Sequence, residues 1–131
     1  MSKNIDFSEI VSEVILSARS SIDQVQLMDN SELQNAILLC LSCKGKVVVT
    51  GVGKSAIVAQ KMVATLNSTG TISTYLHGAD ALHGDMGMIH QDDVVVCISK
   101  SGGTQELLML ALALNESGVS IISMTNNVNS K

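Results

Sequence analysis

A short run rich in hydroxyl groups and glycine, residues 99–104, carries the clearest chemistry in this sequence. It reads Ser-Lys-Ser-Gly-Gly-Thr, follows an apolar run at 94–98 typical of a strand, and precedes an apolar run at 107–114 typical of a helix. At the start of a helix the first backbone N–H groups have no partner within the helix, and the helix dipole favours negative charge there. The hydroxyl groups add further donors. The pattern therefore predicts an anion site, with phosphate as the expected ligand.

A second glycine turn, residues 50–56, reads Thr-Gly-Val-Gly-Lys-Ser-Ala and also follows a strand-like run. It is not a nucleotide P-loop, because that motif requires a glycine where this chain has Val48. It matches the glycine fingerprint of dinucleotide-binding proteins, but no carboxylate lies between Gly51 and Ala79 to bind the ribose, which disfavours a nicotinamide cofactor. An isolated turn of this kind would simply join a strand to a helix with Lys54 in solvent. Two such turns at one edge of a sheet can close on one sugar phosphate.

A third cluster, residues 77–87, reads His-Gly-Ala-Asp-Ala-Leu-His-Gly-Asp-Met-Gly. Imidazole and carboxylate groups are common metal ligands, but the helical His-Glu-x-x-His spacing is missing. A polar loop whose aspartates cap turns explains the cluster equally well. The functional interpretation that we favour is acid–base chemistry, because the pKa of histidine lies near neutrality and its ring can hold or move a proton of a sugar hydroxyl.

The elements that must position these clusters alternate between helix and strand. The sequence predicts helices at 5–28, 31–44 (with Ser31 as N-cap), 55–66 and 105–116, strands at 46–50, 71–76, 93–98 and 119–125, and a glycine-containing loop with room for one helical turn at 77–88. The apolar stripe of the helix at 55–66 is expected to comprise Ile57, Val58, Met62 and Leu66. This order predicts an open, mostly parallel sheet with helices on both faces, whose ligands bind at the carboxyl ends of the strands.

Composition and charge exclude several classes of protein. With 131 residues, 46% of them hydrophobic, the chain is expected to form one domain over residues 1–131. A formal charge of −4 and only two aromatic residues, Phe7 and Tyr75, disfavour nucleic acid as a partner. No apolar run approaches the roughly 20 residues of a membrane span, and no signal peptide is evident. The sequence therefore predicts a cytoplasmic protein with no membrane partner.

The charges are unevenly distributed along the chain. No carboxylate lies between Leu33 and Ala79, whereas four lysines do, which predicts a local positive field suited to a small anion. These lysines are Lys44, Lys46, Lys54 and Lys61.

The three cysteines are not expected to be catalytic. Cys40 and Cys43 have the spacing of a redox motif, but they lie at the C-terminal end of a predicted helix, whose dipole raises a thiol pKa. Cys97 lies in a predicted buried strand, where a thiol behaves as a small hydrophobic group.

The end of the chain predicts a domain that is incomplete at its C-terminus. Residues 125–131 leave a strand expected to be buried on both faces, and Ser130 resembles a helix N-cap. A strand of that kind normally needs a covering helix after it.

Together the three clusters resemble the sugar isomerase (SIS) family and, within it, the arabinose-5-phosphate isomerases. The resemblance spans about residues 30–130 and rests on Gly-Val-Gly-Lys-Ser at 51–55, His-Gly-Asp-Met-Gly at 83–87 and Ile-Ser-Lys-Ser-Gly-Gly-Thr-Gln-Glu at 98–106. It implies a flavodoxin-like, three-layer αβα sandwich, assembled as a homodimer or homotetramer with sites shared between subunits. The paired CBS modules often fused to these isomerases have no counterpart in this sequence.

The resemblance also implies roles for individual residues. Lys54 would neutralise charge on the substrate oxygens, His83 would contact the sugar, and Glu106 would take part in proton transfer. The positions implied to bind substrate or phosphate are Gly53, Ser55, Gly70, Thr71, Ser99, Ser101, Gly102 and Thr104. No cofactor is required, although a divalent ion such as zinc can bind at the position of His77. From spacing alone, Glu106 fits equally well as a helix N-terminal residue that satisfies the dipole. Lys100 stands where the family commonly has an uncharged polar residue, which leaves the phosphate affinity open.

The implied reaction interconverts D-ribulose 5-phosphate and D-arabinose 5-phosphate through an enediol(ate). The aldose feeds synthesis of 3-deoxy-D-manno-octulosonate, the eight-carbon sugar of bacterial lipopolysaccharide or capsule. A base must move a proton between C1 and C2, and a polar clamp must hold the oxyanion. The family uses a further glutamate and histidine that lie beyond residue 131. Two alternatives remain open: a non-catalytic sugar-phosphate-binding module that regulates a partner, and an isomerase acting on heptose or hexulose phosphates.

Overall fold

The computed structural model describes residues 6–27, 30–127 and 129. The chain divides into two compact units, residues 1–34 and 35–131. Helix α1 (Phe7–Leu27) occupies most of the first unit. Its start is capped by the Asp6 carboxylate, whose Oδ1 accepts the backbone N–H groups of Ser8 at 2.9 Å and Glu9 at 3.3 Å. A side-chain acceptor at this position satisfies donors that the helix itself leaves free.

The second unit begins within helix α2 and continues with alternating strands and helices. The elements are α2 (Ser31–Ser42), β1 (Val47–Gly51), α3 (Lys54–Ser68), β2 (Ser73–His77), α4 (Gly78–Leu82), a 3₁₀ turn (Asp85–Met88), β3 (Val94–Ser99), α5 (Gln105–Glu116) and β4 (Ser120–Thr125). The bounds of α5 agree with the sequence prediction. The other helices and strands begin and end within three residues of their predicted bounds. Ser31 is the first residue of α2 rather than the residue before it. The predicted loop at 77–88 is more regular than expected, since it holds both α4 and the 3₁₀ turn.

The described strands form one parallel sheet in the order β2-β1-β3-β4. In the register of its centre, Val49 lies beside Tyr75 of β2 and beside Val96 of β3. All five residues of β1 are buried, as expected for an uninterrupted β-branched run between two layers of helices. The predicted α/β architecture, a parallel sheet with helices on both faces, is therefore confirmed.

Successive residues of the strands point to opposite faces, so each face has its own apolar cluster. On one face Val48 and Val95 pack with buried leucines of α5, namely Leu107, Leu110 and Leu114. On the other face Val49 and Val96 pack with Ala59 of α3. These two layers fix the start of α5 and the start of α3 on opposite sides of the sheet.

The predicted apolar stripe of α3 is wrong in its first half. Ile57 and Val58 are 68% and 54% exposed, whereas Ala56 and Ala59 are buried. Met62 and Leu66 do pack against the sheet. Small alanines allow the start of α3 to approach the sheet closely, and the tight turn before the helix fixes which face points inward. An apolar pattern spread round the helix could not identify that face.

Strand β4 also differs from expectation, because it lies at an edge of the described sheet and is not buried on both faces. Met124 is 46% exposed, Ser123 is exposed as well, and the other residues of the strand are half-buried. The expected cap at Ser130 lies outside the described residues. Among the described helices, none has the length and apolar character needed to cross a membrane.

Candidate functional site

The sheet reverses its winding between β1 and β3, and both glycine turns lie there. From β1 the chain passes through α3 to β2 on one side, and from β3 it passes through α5 to β4 on the other. Gly51, the last residue of β1, pairs with Ile98 near the end of β3. Ligands of open α/β sheets bind in the crevice at such a reversal, outside the carboxyl ends of the strands. The structure thus places the two turns side by side at the carboxyl edge of the sheet.

The turn after β3, which we call the hydroxyl turn (residues 99–104), is held in shape by its own side chains. The Ser99 hydroxyl lies 2.9 Å from the Thr104 hydroxyl and accepts the Gly102 N–H at 3.1 Å. The Ser101 hydroxyl accepts the Gly103 N–H at 3.2 Å. Gly102 has φ +70°, a conformation that favours glycine. These hydrogen bonds and the glycine conformation together hold the hydroxyl turn in one shape.

Helix α5 begins immediately after the hydroxyl turn without a side-chain cap. Its N-cap is Thr104, which makes no capping hydrogen bond because its hydroxyl is directed to Ser99. The N–H groups of the first turn of α5 therefore lack the usual side-chain acceptor, and a bound anion can take that place. Ser99 is only 7% exposed, so it acts as the inner support of the turn, while Ser101 is exposed and available to a ligand.

The segment after β4 braces the hydroxyl turn from outside. The Asn126 N–H donates to the Lys100 carbonyl at 3.2 Å, and the Asn127 side-chain amide donates to the Ser101 carbonyl at 3.5 Å. The Thr125 hydroxyl fixes this brace by accepting the Asn127 N–H at 3.1 Å. Neither asparagine was predicted from the sequence as part of the site. Their signal was a pair of turn-forming residues directly after a strand whose end meets the same edge.

The first glycine turn brings α3 to the same edge. Gly53 caps α3 with φ +60° and offers no side chain, so the first turn of α3 also lacks a side-chain acceptor. Lys54 is exposed and Ser55 half-buried in that first turn. Gly51 makes the tight approach possible, because a Cβ on it would lie 2.8 Å from the Ser55 backbone carbon.

The third cluster adjoins the crevice through Gly78, the first residue of α4. A Cβ at Gly78 would lie 2.8 Å from Leu107 Cδ2 and 2.9 Å from Val52 Cγ2, so α4 starts between α5 and the first glycine turn. His77 caps α4, since its Nδ1 accepts the Ala79 N–H at 3.3 Å. His83 follows the last residue of α4 and is exposed. The histidine cluster and the two glycine turns thus meet at one edge of the sheet.

The donor set around His77 does not fit a zinc site formed by this chain alone. Within the described residues, no group of three or more His, Cys, Asp and Glu side chains is placed to hold a metal ion. Asp80 is near His77, with 3.9 Å between Oδ1 and Nδ1, but that nitrogen already caps α4. Protein zinc sites use three or four ligands. The zinc ion implied by the resemblance stays a prediction.

Two of the implied substrate residues lie elsewhere in this chain. Gly70 and Thr71 precede the amino end of β2, where they line a cleft with Cys40 and Lys44. That edge is separated from the crevice by the length of the strands, about 16 Å for five residues. The structure therefore does not bring these two residues together with the hydroxyl turn.

The four lysines between Leu33 and Ala79 do not form the single positive field that the sequence predicted. Lys46 pairs with Asp93 at the amino edge of the sheet, with 2.6 Å between Nζ and Oδ2, and Lys44 lies at that same edge. Lys54 alone of the four lies at the crevice, in the first turn of α3. Glu106 is half-buried in the first turn of α5. It is at the correct edge for proton transfer and also suits the helix dipole.

Comparison with known proteins agrees with this geometry. Residues 40–131 match the family model of the SIS domain. The chain is 44% identical over 127 residues to arabinose 5-phosphate isomerase KdsD of Pseudomonas aeruginosa, covering 97% of this chain and 39% of that protein. It is 48% identical over 103 residues to arabinose 5-phosphate isomerase KpsF of Escherichia coli, covering 79% of this chain and 32% of that protein.

A solved structure gives the same result at the level of the fold. A protein of E. coli CFT073 in complex with arabinose 5-phosphate superposes with a TM-score of 0.87 and 39% identity, covering 97% of this chain and 69% of that one. The chain spans less than two fifths of the length of the two isomerases above. The family match covers most of the chain, and its three motifs meet at the switch point of the sheet. The chain therefore belongs to the SIS domain family.

Proposed function

We propose that this chain is the sugar-phosphate-binding part of an isomerase that interconverts D-ribulose 5-phosphate and D-arabinose 5-phosphate. One observation carries the proposal: the two uncapped helix starts follow the carboxyl ends of the neighbouring strands β1 and β3, one on each face of the sheet, with Lys54 and Glu106 in their first turns. The names of the relatives support the choice of substrate. The presence of arabinose 5-phosphate in the solved structure of a relative supports it independently.

The hydroxyl turn is the phosphate end of the proposed site. Ser101 and Thr104 offer hydroxyl groups, and the backbone N–H groups at the start of α5 offer donors aligned with the helix dipole. Ser99 keeps this turn in shape, while Gly53 and Ser55 close the crevice from α3. A phosphate held there fixes one end of an open-chain pentose, so its C1 and C2 atoms extend toward the other groups of the crevice.

Isomerisation then requires a proton to move between two carbon atoms. A base removes a proton from C1 of the ketose; the C–H electron pair forms the C1–C2 double bond, and the π pair of the C2 carbonyl moves onto O2 to give an enediolate. A proton then passes from the C1 hydroxyl to O2, and as the C1 carbonyl forms, the C1–C2 π pair takes up a proton at C2. Glu106 is the proposed base. Lys54 stabilises the negative charge that develops on the substrate oxygen, and His83 contacts a sugar hydroxyl.

The proposal extends to the cellular role and the assembly. Arabinose 5-phosphate made in the cytoplasm would feed synthesis of 3-deoxy-D-manno-octulosonate for lipopolysaccharide or capsule. The protein would act as a homodimer or homotetramer. A site shared between subunits would allow Gly70 and Thr71 of one copy to reach the crevice of another, which a single chain does not permit.

The test is proton exchange from solvent. NMR of this chain with ribulose 5-phosphate in D₂O follows the appearance of arabinose 5-phosphate and the entry of deuterium at C2. We expect Glu106→Gln to lower exchange at least about a hundredfold while the phosphate still binds. Glu116→Gln, at the other end of the same helix, is the matched control and should leave exchange unchanged.

Other results would revise the proposal in defined ways. Binding of the sugar phosphate without exchange would leave two readings, a non-catalytic SIS module and an isomerase that needs the glutamate and histidine implied beyond residue 131. Exchange by the full-length gene product would separate them. The absence of any phosphate binding by a folded chain would overturn the assignment of the hydroxyl turn. Faster exchange with a heptose or hexulose phosphate would replace the substrate and keep the class of reaction.

A further inference from the structure

His77 and His83 flank the short helix α4, His77 as the residue before its start and His83 as the residue after its end. The His77 backbone has φ −70° and ψ 130°, the extended conformation usual for an N-cap residue. Its ring nitrogen Nδ1 accepts the Ala79 N–H at 3.3 Å. At the other end, the His83 N–H donates to the Asp80 carbonyl at 3.0 Å. The two histidines are thus joined through a helix of only five residues.

The place of α4 depends on packing and on this cap. Ala81 is 2% exposed and belongs to the apolar cluster of the α5 face. Gly78 is packed so closely that a Cβ on it would lie 2.8 Å from the nearest side-chain atom. A helix of about one turn makes few hydrogen bonds of its own, so it is marginal without such contacts. The position of His83 is therefore set by packing in the middle of α4 and by the His77 cap at its start.

The neighbours of the His77 ring leave the cap as its main polar contact. The ring lies edge-on to Tyr75, with 6.4 Å between ring centroids and 76° between the ring planes. Asp80 Oδ1 is 3.9 Å from His77 Nδ1, which is too long for a hydrogen bond, and the Asp80 side chain is 65% exposed. In the register of the sheet, His77 lies beside Gly51 of the first glycine turn. The cap is therefore at the same edge of the sheet as the crevice.

The cap requires one particular form of the His77 ring. A neutral imidazole carries one proton, and only the nitrogen without it can accept a hydrogen bond. Nδ1 therefore accepts the Ala79 N–H only when the proton is on Nε2. A metal ion on Nδ1 would use the same lone pair, and a metal ion on Nε2 would leave the proton on Nδ1. Capping of α4 and metal ligation by His77 therefore exclude each other.

We infer that His77 is a positioning residue of this site: its neutral, Nε2-protonated ring caps α4 and so holds His83 where it meets the sugar. The inference rests on the proposed function, which gives His83 that contact, and it assigns His77 a helix cap in place of a metal ion. His77 acts through α4 and does not itself contact the substrate. The phosphate end does not depend on this cap, because the hydroxyl turn is held by its own side chains.

The first measurement detects the cap itself in the parent chain. NMR of the imidazole nitrogens, at a mildly alkaline pH where histidine is neutral and with EDTA present, reports which nitrogen of His77 carries the proton. We expect the proton on Nε2, and we expect hydrogen exchange of the Ala79 amide to be slow in the parent and in His77→Asn but fast in His77→Ala. A proton on Nδ1, or an Ala79 amide that exchanges equally in all three chains, would overturn the inference.

The second measurement separates a cap from a metal ligand by affinity. Calorimetry with EDTA present gives the Kd of arabinose 5-phosphate and of inorganic phosphate for the parent, His77→Ala and His77→Asn. Asparagine is among the best N-cap residues, whereas alanine offers no acceptor. We expect His77→Ala to weaken arabinose 5-phosphate about fivefold, the equilibrium factor of a typical cap, and His77→Asn to stay within about twofold of the parent. Inorganic phosphate should bind all three chains alike, which a general loss of structure would not allow.

A double variant tests whether the effect passes through His83. If His77 acts by placing His83, the affinity lost in the double variant His77→Ala/His83→Ala equals the loss in His83→Ala alone. Independent roles would instead multiply the two losses. His90→Ala is the matched control, because the His90 side chain is 79% exposed and precedes β3 at the opposite edge of the sheet. It should change neither Kd.

Four results of the affinity measurements would overturn the inference. They are an unchanged Kd of arabinose 5-phosphate in His77→Ala, an equal loss in His77→Ala and His77→Asn, an equal loss for inorganic phosphate, and losses that multiply in the double variant. In each case the parent still binds the sugar phosphate, and the proposed function stands. If the folded parent binds neither ligand, the proposed function fails, and with it the role of His77 toward the sugar. The NMR of the parent then still decides whether His77 caps α4.

Discussion

Lys46 and Asp93 join the starts of the two central strands at the edge opposite the crevice. The Lys46 ammonium group lies 2.6 Å from Asp93 Oδ2, and the same carboxylate accepts backbone N–H groups from Lys46 at 2.9 Å and His90 at 2.8 Å. Only 2% of the Asp93 side chain is exposed, against 28% of the Lys46 side chain. A single carboxylate therefore ties β1, β3 and the turn before β3 together.

Asp93→Asn should lower the free energy of unfolding by about 2 kcal/mol, because it leaves the partly buried Lys46 ammonium group without its counter-ion. Asp92→Asn is the matched control. The Asp92 side chain is 61% exposed, so its loss should change stability by less than about 0.5 kcal/mol. Urea unfolding of the two variants checks the prediction. Equal effects of the two substitutions would contradict a special role of Asp93.

The effect of Asp93 should also depend on pH. Burial alone would raise the pKa of this carboxyl, but hydrogen bonds from Lys46 and His90 and the charge of Lys46 outweigh it and lower the pKa below 3.8. A pKa lowered in the folded state stabilises the fold above the unfolded value, and this stabilisation is lost as pH falls through the folded value. The stability difference between the parent and Asp93→Asn should therefore be constant above about pH 5 and shrink below the ordinary value. A stability difference that grows on acidification would contradict a lowered pKa of Asp93 in the folded chain.

Ser99→Ala and Ser101→Ala should differ in stability although both weaken phosphate binding. Ser99 is buried and holds Gly102 and Thr104, so its loss leaves polar groups without partners and should cost about 1–2 kcal/mol of stability and about tenfold in phosphate affinity. Ser101 is exposed, and its loss should affect affinity with less than about 0.5 kcal/mol of destabilisation. Thermal unfolding together with phosphate calorimetry separates the two. Equal destabilisation would show that Ser99 is not the inner support of the turn.

Gly51→Ala should disturb the start of α3. The added Cβ would meet the Ser55 carbonyl carbon at 2.8 Å and the Ala56 nitrogen at 3.0 Å, and backbone atoms cannot move aside as a flexible side chain can. We expect a loss of about 2–3 kcal/mol and weaker phosphate binding. Gly87→Ala is the matched control, since a Cβ there meets open space. A neutral Gly51→Ala variant would mean that the turn after β1 tolerates displacement of α3.

The arrangement of strands and the position of the crevice were accessible to sequence reasoning because both follow from periodicity. Uninterrupted β-branched runs predicted strands buried between layers, and glycine turns after two of them predicted a ligand edge. The inward face of α3 was not accessible, because apolar residues lie on both of its sides and the choice depends on the contact of Gly51 with Ser55. Pairings between residues distant in sequence, such as Lys46 with Asp93, have no periodic signal.

In the candidate site, too, local patterns could be predicted and contacts between residues distant in sequence could not. The residues of each glycine turn were found because their spacing is local. The brace by Asn126 and Asn127 was missed, since it depends on β4 lying beside β3. Gly70 and Thr71 were assigned by resemblance alone, and only the direction of β2 shows that they lie at the other edge of this chain.

Two of the three cysteines, Cys97 and Cys40, should react slowly in the folded chain. Burial raises the pKa of Cys97 to about 11, and the pKa of Cys40 is raised by burial and by the nearby Cys43. Only the thiolate reacts, so we expect iodoacetamide at neutral pH to leave Cys97 unmodified and to alkylate Cys40 more slowly than a free thiol. Mass spectrometry of native and urea-unfolded chain measures this directly.

A conservative variant shows whether Cys97 serves only as packing. Cys97→Val keeps a small apolar group at a position that is 6% exposed, so it should change stability by less than about 1.5 kcal/mol and leave proton exchange into the sugar phosphate unchanged. Rapid alkylation of Cys97 in the native state would show that the strand opens. Loss of exchange in Cys97→Val with phosphate binding intact would instead mean that the face of β3 beneath Ser99 shapes the reacting end of the crevice.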